Sequence, residues 1–440
     1  MLNINRPHRL VLYCFIVAIL VLQGIFVTTV AQTARDDFQI DTHLSASNYL
    51  AYPGPTQGAL TPAPEGKHPF YISHYGRHGS RYLINPNEYN SPYEILKAAD
   101  KAGKLTPLGQ DVLRRVGMIR DEAAGRLGEL TPLGALQHRQ IAKRMYERFP
   151  EVFQGDVTID ARSTIVIRCI LSMENALQQL LLLNPKLNIL HDASNHDMWY
   201  MNLTDKALFA QRQNFETEKA YVSFVDRHRD YLRAMSALFN DRDYMEKNVD
   251  AWQLNNYLFK LASNLQSSEL HKKITLYDLF TDDEIYSNWK IANARWYIEY
   301  GACPLNGGMQ PYSQRNLLRT IIQQADSCIR LQRPGATLRF GHETMVLPLT
   351  CLLELDNFGL KTDNLEKLEN KGWLNYKVFP MAANIQFIFY RRDFSDKDVL
   401  VKVLLNENET TLPVETDCAP YYHWSDVRQY YLEKLSSFIS

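Results

Sequence analysis

Two guanidiniums flank one imidazole in the run Arg77-His78-Gly79-Ser80-Arg81. Arginine carries a planar fork of donors that matches a phosphate group. A neutral histidine can attack phosphorus and hold the phosphoryl group covalently, and a glycine lets the backbone come close to a ligand. The run therefore reads as a nucleophile, His78, with Arg77 and Arg81 placed to stabilise charge on the equatorial oxygens. The bland reading is a charged surface turn. Four fixed residues meet by chance in a chain of 440 residues with odds on the order of one in a hundred to one in a thousand.

Two later segments offer complementary groups. Arg162-Ser-Thr-Ile-Val-Ile-Arg168, followed by Ser172, ends where a strand gives way to a helix, and Arg168 is a candidate third clamp. Phe340-Gly341-His342-Glu343-Thr344 has the same strand-to-helix setting. There His342 can donate to a phosphate oxygen. Glu343 can protonate a leaving alkoxide and then activate water, and a helix N-terminus favours an anion. Taken singly, each reads as solvated charge or as a helix cap. His74 is expected to face the same pocket, and Tyr82 to form a wall. Arg212, Lys219, Arg227, Arg229 and Arg295 are candidates for further phosphates of a substrate, against the plainer reading of solvated helix faces.

These residues need elements to hold them. The apolar, aromatic run 69–73 reads as a buried strand, which puts the first motif at a strand's C-terminal end. In open α/β sheets ligands bind at that edge. Leu105-Thr-Pro-Leu-Gly109 and Leu130-Thr-Pro-Leu-Gly134 each supply an N-cap Thr and a Pro at the first helical position. Helices should follow, to about Leu127 and Arg148. Strands are expected at 157–160, 187–190 and 336–340, with helices at 169–183, 312–330 and 344–355. Segments 384–390 and 399–405 read as an antiparallel pair, and 424–436 as a closing helix. The alternation argues a layered α/β core over 32–195 and 301–440. Residues 196–300 are polar, rich in Tyr, Trp, Lys and Arg, and read as a smaller α-helical insertion.

With 45% hydrophobic and 22% charged residues the chain is an ordinary globular one. A formal net charge of −1 leaves no basic field for nucleic acid. Arg6, His8 and Arg9 precede an apolar run from Leu10 to Val30, and Thr29-Val30-Ala31 offers small residues for cleavage. Residues 1–31 are therefore expected to be an export signal, with an uncleaved anchor as the alternative. No later segment is apolar enough to span a membrane, so no stable insertion is expected after cleavage. Export permits disulfides. Beyond Cys14 there remain Cys169, Cys303, Cys328, Cys351 and Cys418, which allow two bridges at most.

Together the three segments resemble the histidine phosphatase superfamily, in its acid phosphatase and phytase branch, and most nearly the multiple inositol polyphosphate phosphatases. The family's R-H-G-x-R matches Arg77 to Arg81, its R-S-T-x-x-x-R clamp matches Arg168, and its late His-acid pair matches His342 and Glu343. L-T-P-x-G matches Leu130 to Gly134. The resemblance covers about Phe70 to Tyr430. It implies an α/β core with a smaller α-domain, the substrate between them, and no metal or organic cofactor. Two departures stand out. Family members carry His-Asp or His-Ala-Glu, whereas Glu343 directly follows His342. Arg81 is followed by Tyr82 and Leu83, where the family often has a nearby Pro.

The expected activity is hydrolysis of small phosphorylated molecules, foremost inositol hexakisphosphate and lower inositol polyphosphates. The alternatives are a broad acid or sugar-phosphate phosphatase and a catalytically dead phosphate-binding protein. A mutase-like transferase is disfavoured by the export signal. The oligomeric state cannot be read from the sequence.

Overall fold

The computed structural model describes residues 33–212 and 214–438. The expected signal at 1–31 lies outside them. No helix among the described residues is long and apolar enough to cross a membrane.

A mixed sheet organises the chain. Its strands are β1 (His68–Arg77), β2 (Thr158–Ser163), β3 (Asn188–Asp192), β4 (Gly335–Gly341), β5 (Asn384–Arg391), β6 (Leu400–Leu405), β7 (Asn408–Glu409) and β8 (Tyr422–His423). They lie in the order β3-β2-β4-β1-β5-β6-β7, with β8 paired to β6. The first four strands in that order are parallel, and β5, β6 and β7 each run antiparallel to the strand before. Strands β4 and β5 are buried along their whole length, as befits strands covered on both faces, and they bury polar side chains among the apolar ones, including Thr337, Arg339, Asn384 and Gln386.

Both faces of the sheet are covered. Ile72, Leu338 and Ile388 pack on one side against Met145 and Leu177 of the helices Pro132–Arg148 and Ile167–Leu183. On the other side Tyr71, Phe387 and Val401 meet Leu318, Leu349 and Val427 of the helices Arg315–Ile329, Glu343–Leu353 and Trp424–Ser436. This is the layered α/β core that the alternation of elements implies.

Residues 196–300 are mainly helical, with Phe215–His228, Ala251–Leu265 and Asp282–Tyr300 as the long elements. They share their apolar cores with other parts of the chain. Leu254, Leu258 and Trp289 cluster with Phe38, Leu96 and Val112, while Phe224 and Tyr297 belong to the cluster beneath the sheet. Both Thr-Pro echoes cap as expected. Thr106 Oγ1 accepts from Gly109 N at 3.1 Å and Thr131 Oγ1 from Gly134 N at 3.2 Å. A helix at Asn87–Lys101, with Pro92 inside it, has no counterpart in the sequence reading. All five cysteines of the described residues are free thiols.

Candidate functional site

Register brings the site together. In the parallel pair β1 and β4, Arg77 stands opposite Gly341, and His78 N then donates to Gly341 O at 2.9 Å. The two motifs thus leave the sheet side by side, with the His78 and His342 ring centroids 5.8 Å apart. Strand β2 ends at Ser163 and delivers Thr164, whose Oγ1 lies 3.2 Å from His342 Nε2.

The turn after β1 is gripped by the Thr131 cap. A Cβ on Gly79 would lie 2.4 Å from Gly134 O, and one on Gly134 would lie 2.3 Å from Ser80 O. Neither position admits a side chain while those backbones stay where they are. Gln137 completes the grip, with Oε1 accepting from Ser80 N at 2.8 Å and Nε2 donating to Ser80 Oγ at 3.0 Å. From the other side Gly79 N donates to Ser172 Oγ at 3.1 Å.

Within this frame His78 is fully buried. Its Nδ1 lies 2.9 Å from Gly79 O. A carbonyl can only accept, so Nδ1 carries the proton and Nε2 keeps its lone pair. Nε2 has no hydrogen-bond partner and lies 3.6 Å from Glu343 Oε2. Arg77, also fully buried, donates from Nη1 to Asn48 O at 2.7 Å and Phe379 O at 2.8 Å. Its Nε is 3.1 Å from Glu343 Oε2. Arg81 Nη2 is 4.0 Å from Glu343 Oε1, while Arg81 Nη1 donates to Tyr82 O at 3.0 Å. Arg77 Nη2, Arg81 Nε and Arg168 Nε are buried donors without hydrogen-bond partners. Such donors are expensive to leave unmet, and three around one imidazole describe a seat for an anion.

The electrostatics agree. Burial pushes His78 well below the usual imidazole range; Arg77 and Arg81 add to this and Glu343 opposes it. Burial, with Arg168, Arg77 and Arg81 adding and Glu343 opposing, brings His342 down to about 4. Burial pushes the Glu343 carboxyl up, but Arg77, His78 and Arg81 outweigh it and hold it well below the usual range. The ligand-free site thus holds neutral imidazoles and a carboxylate lying among arginines.

A family model described as histidine phosphatase superfamily (branch 2) matches residues 76–406, from the end of β1 to just past β6. The chain belongs to that family.

Solved structures share its fold. Multiple inositol polyphosphate phosphatase of Bifidobacterium longum, in complex with inositol hexasulfate, aligns with a TM-score of 0.72 at 18% identity, over 88% of this chain and 97% of that one. The phytase from D. castellii aligns with a TM-score of 0.65 at 16% identity, over 90% and 85%. Hafnia alvei phytase with myo-inositol hexakis sulphate gives 0.52 at 14%, over 84% and 98%. The search of curated proteins returns no match.

This histidine phosphatase gathers His78, Arg77, Arg81, Arg168, His342 and Glu343 into one cluster, as their residue types suggested. The other candidates fare differently. His74 is a correction: its ring packs on Phe340 at 5.3 Å, and burial with the nearby His138 lowers it to about 3, so it is a core histidine and not a pocket residue. Tyr82 is also corrected. Its hydroxyl faces Arg126, at 3.0 Å, and Glu122, at 3.5 Å, so the side chain turns into the helical part and only its carbonyl serves Arg81. Arg212 lies over the Tyr300 ring at 4.3 Å and donates from Nε to Gln310, and Tyr300 is near enough to feel the Glu343 charge. Lys219 is exposed on its helix. Arg295 is committed to Glu218 at 2.8 Å and Glu299 at 2.6 Å. It lines a cavity of about 750 Å³ with Tyr49, Lys260 and Trp296, and the Tyr49 ring sits 5.7 Å from the Arg81 guanidinium.

Sequence reasoning passed over Thr164, which lay inside the quoted Arg162–Arg168 run, and the carbonyls of Asn48 and Phe379. Backbone acceptors carry no signal in residue type.

His78, His342 and Glu343 have ligand atoms within 4.8 Å of one another, the spacing of a metal site. The charge around them argues for an anion instead, since Arg77 and Arg81 already pair with Glu343 and Arg168 adds positive field at His342. A cation would enter against three guanidiniums. Dialysis against EDTA is therefore expected to leave phosphate release unchanged; lost activity restored by zinc or magnesium would refute this.

The pH profile follows from His78. The acid limb of kcat/KM reports the free protein, where the imidazole must lose its proton to act. With that proton lost well below 6.5, activity should persist in mildly acidic solution. An acid limb centred near 6.5 would contradict the burial argument.

Proposed function

We propose that the protein hydrolyses phosphomonoesters through a phosphohistidine at His78, acting on inositol hexakisphosphate and lower inositol polyphosphates. One observation carries the reading: a buried imidazole with its Nδ1 proton committed and its Nε2 free stands among buried guanidinium donors that lack partners. The substrate class draws support from the family and from the fold shared with an inositol polyphosphate phosphatase and phytases.

The mechanism uses the chain's own groups. A phosphate entering the seat takes the Arg77, Arg81 and Arg168 donors. Glu343 then loses the positive partners that hold its proton affinity down and gains a negative neighbour, so its carboxyl takes up a proton. His78 Nε2 attacks phosphorus, the ester P–O bond breaks, and Glu343 gives its proton to the departing alkoxide. Water then attacks the phosphohistidine, Glu343 accepts the water's proton, and the N–P bond breaks to release inorganic phosphate. The guanidiniums hold the equatorial oxygens through both steps.

Phosphate release from phytate, glucose 1-phosphate and p-nitrophenyl phosphate, measured side by side, tests the substrate. The highest kcat/KM is expected for phytate. A preference for glucose 1-phosphate would overturn the substrate class, and no release from any of the three would overturn the reaction.

Glu343→Gln separates the two steps. The inositol oxygen of phytate leaves as an alkoxide and needs the proton, so phytate hydrolysis should fall by about a hundredfold or more. Nitrophenolate leaves unaided, so the first step survives and the second limits, giving a burst of nitrophenol. Equal losses on both substrates without a burst would reduce Glu343 to a helix-capping role.

We also propose that residues 1–31 direct export and are removed, on the basic flank, apolar run and small residues described above. N-terminal sequencing of the exported protein should begin at Gln32; a start at Met1 in the membrane fraction would favour an anchor.

A further inference from the structure

Away from the phosphate seat, three different kinds of metal-binding side chain meet beside β8. Asp417, Cys418 and His423 each offer a ligand atom, and these atoms lie within 4.8 Å of one another. The spacing is short, so a single turn and His423, the last residue of β8 and N-cap of the helix Trp424–Ser436, supply the set.

The histidine uses its two nitrogens unequally. Nδ1 lies 2.6 Å from Asp398 Oδ1, and Nε2 lies 3.1 Å from Asp417 Oδ1. Asp398 is itself fixed, 3.0 Å from the buried ammonium of Lys67. A carboxylate that is anchored from behind and holds the far nitrogen of an imidazole is the usual support of a metal-ligating histidine. Cys418 Sγ is held 3.4 Å from Thr416 Oγ1. The Asp417 side chain is 84% exposed, so one side of the cluster is open to water. The competing arrangement is a charged imidazole bridging two carboxylates, which needs no thiol at the same point.

Thiol, imidazole and carboxylate together suit zinc far better than calcium or magnesium, which take oxygen ligands. We propose that Asp417, Cys418 and His423 bind a zinc ion, with Asp398 orienting His423 and water filling the open position. The ion would draw the three ligand atoms together and fasten the turn at 416–423 to the sheet edge, where Tyr422 pairs with Val401. The site shares no residue with the phosphate seat, so it stands or falls apart from the proposed activity.

The test follows alkylation of individual cysteines in the metal-free full-length protein. Iodoacetamide is added with and without one equivalent of zinc, and each thiol is read by peptide mass. Zinc is expected to slow alkylation of Cys418 at least tenfold and to leave the partly exposed Cys328 unchanged; calcium should do nothing. His423→Gln should abolish the protection. Asp417→Asn, at an exposed position that does not threaten the fold, should reduce it severalfold. Equal Cys418 rates with and without zinc would overturn the site. Protection that survives both His423→Gln and Asp417→Asn would overturn it as well, since a lone thiol would then account for it.

Discussion

His78→Ala should eliminate phosphate release from every phosphomonoester, a loss of about ten-thousandfold or more, as for other covalent nucleophiles. No neighbour can take its place. The His342 ring is 5.8 Å away and turns its Nε2 to Thr164, and Cys169, whose thiol burial pushes up to about 12, is no nucleophile. Acid quenching of the unmutated enzyme during turnover of labelled substrate should trap phosphate on His78 and nowhere else. The imidazole makes a single hydrogen bond, to the adjacent carbonyl, so its removal should leave the fold standing, which thermal unfolding can verify. Activity within tenfold of the parent would refute the assignment of the nucleophile.

The second large effect separates two arginines six positions apart. Arg168→Ala should lower kcat/KM by about a hundred- to a thousandfold, the range for a preorganised donor to developing charge. Arg162→Ala should change it little, because Arg162 is spent on Asp160 at 3.0 Å and Asp192 at 3.7 Å, at the β2–β3 edge. Arg77→Ala and Arg81→Ala should resemble Arg168→Ala, and the losses in double variants should fall short of additive, since the three act on one group. A silent Arg168→Ala beside a severe Arg162→Ala would show that the wrong arginine of the segment had been chosen.

Much of this was legible from residue types and periodicity. The strands holding the site each carry a short apolar or alternating core, such as Phe70-Tyr71-Ile72 in β1 and Ala336, Leu338 and Phe340 in β4, and His78, Arg168, His342 and Glu343 each follow or open an element that the sequence marks. What stayed hidden depends on distant chain. A period of two places His74 on the same side of β1 as His78, but Phe340 covers it there. Tyr82 follows the motif directly, yet the bridge between Arg81 and Leu130 turns its ring away. The insertion's arginines look available in sequence, whereas Arg295 is consumed by Glu218, far from it along the chain. The helix Asn87–Lys101 has no counterpart among the elements expected from the sequence, and it holds Pro92 inside it, a residue unfavourable in a helix interior.

The anchoring of Arg77 bears on how the site comes into being. Its guanidinium is held by a carbonyl 29 residues upstream and another 302 residues downstream, and the carboxylate beside His78 comes from position 343. Contacts of such sequence separation form late, because loop closure must precede them. During synthesis the nucleophile emerges early, yet Glu343 follows it only after 265 further residues (343 − 78) and the Phe379 carbonyl that anchors Arg77 comes later still. Every intermediate-length chain is therefore without a working seat, and the site is completed by the same closing steps that lay β4 and β5 on either side of β1.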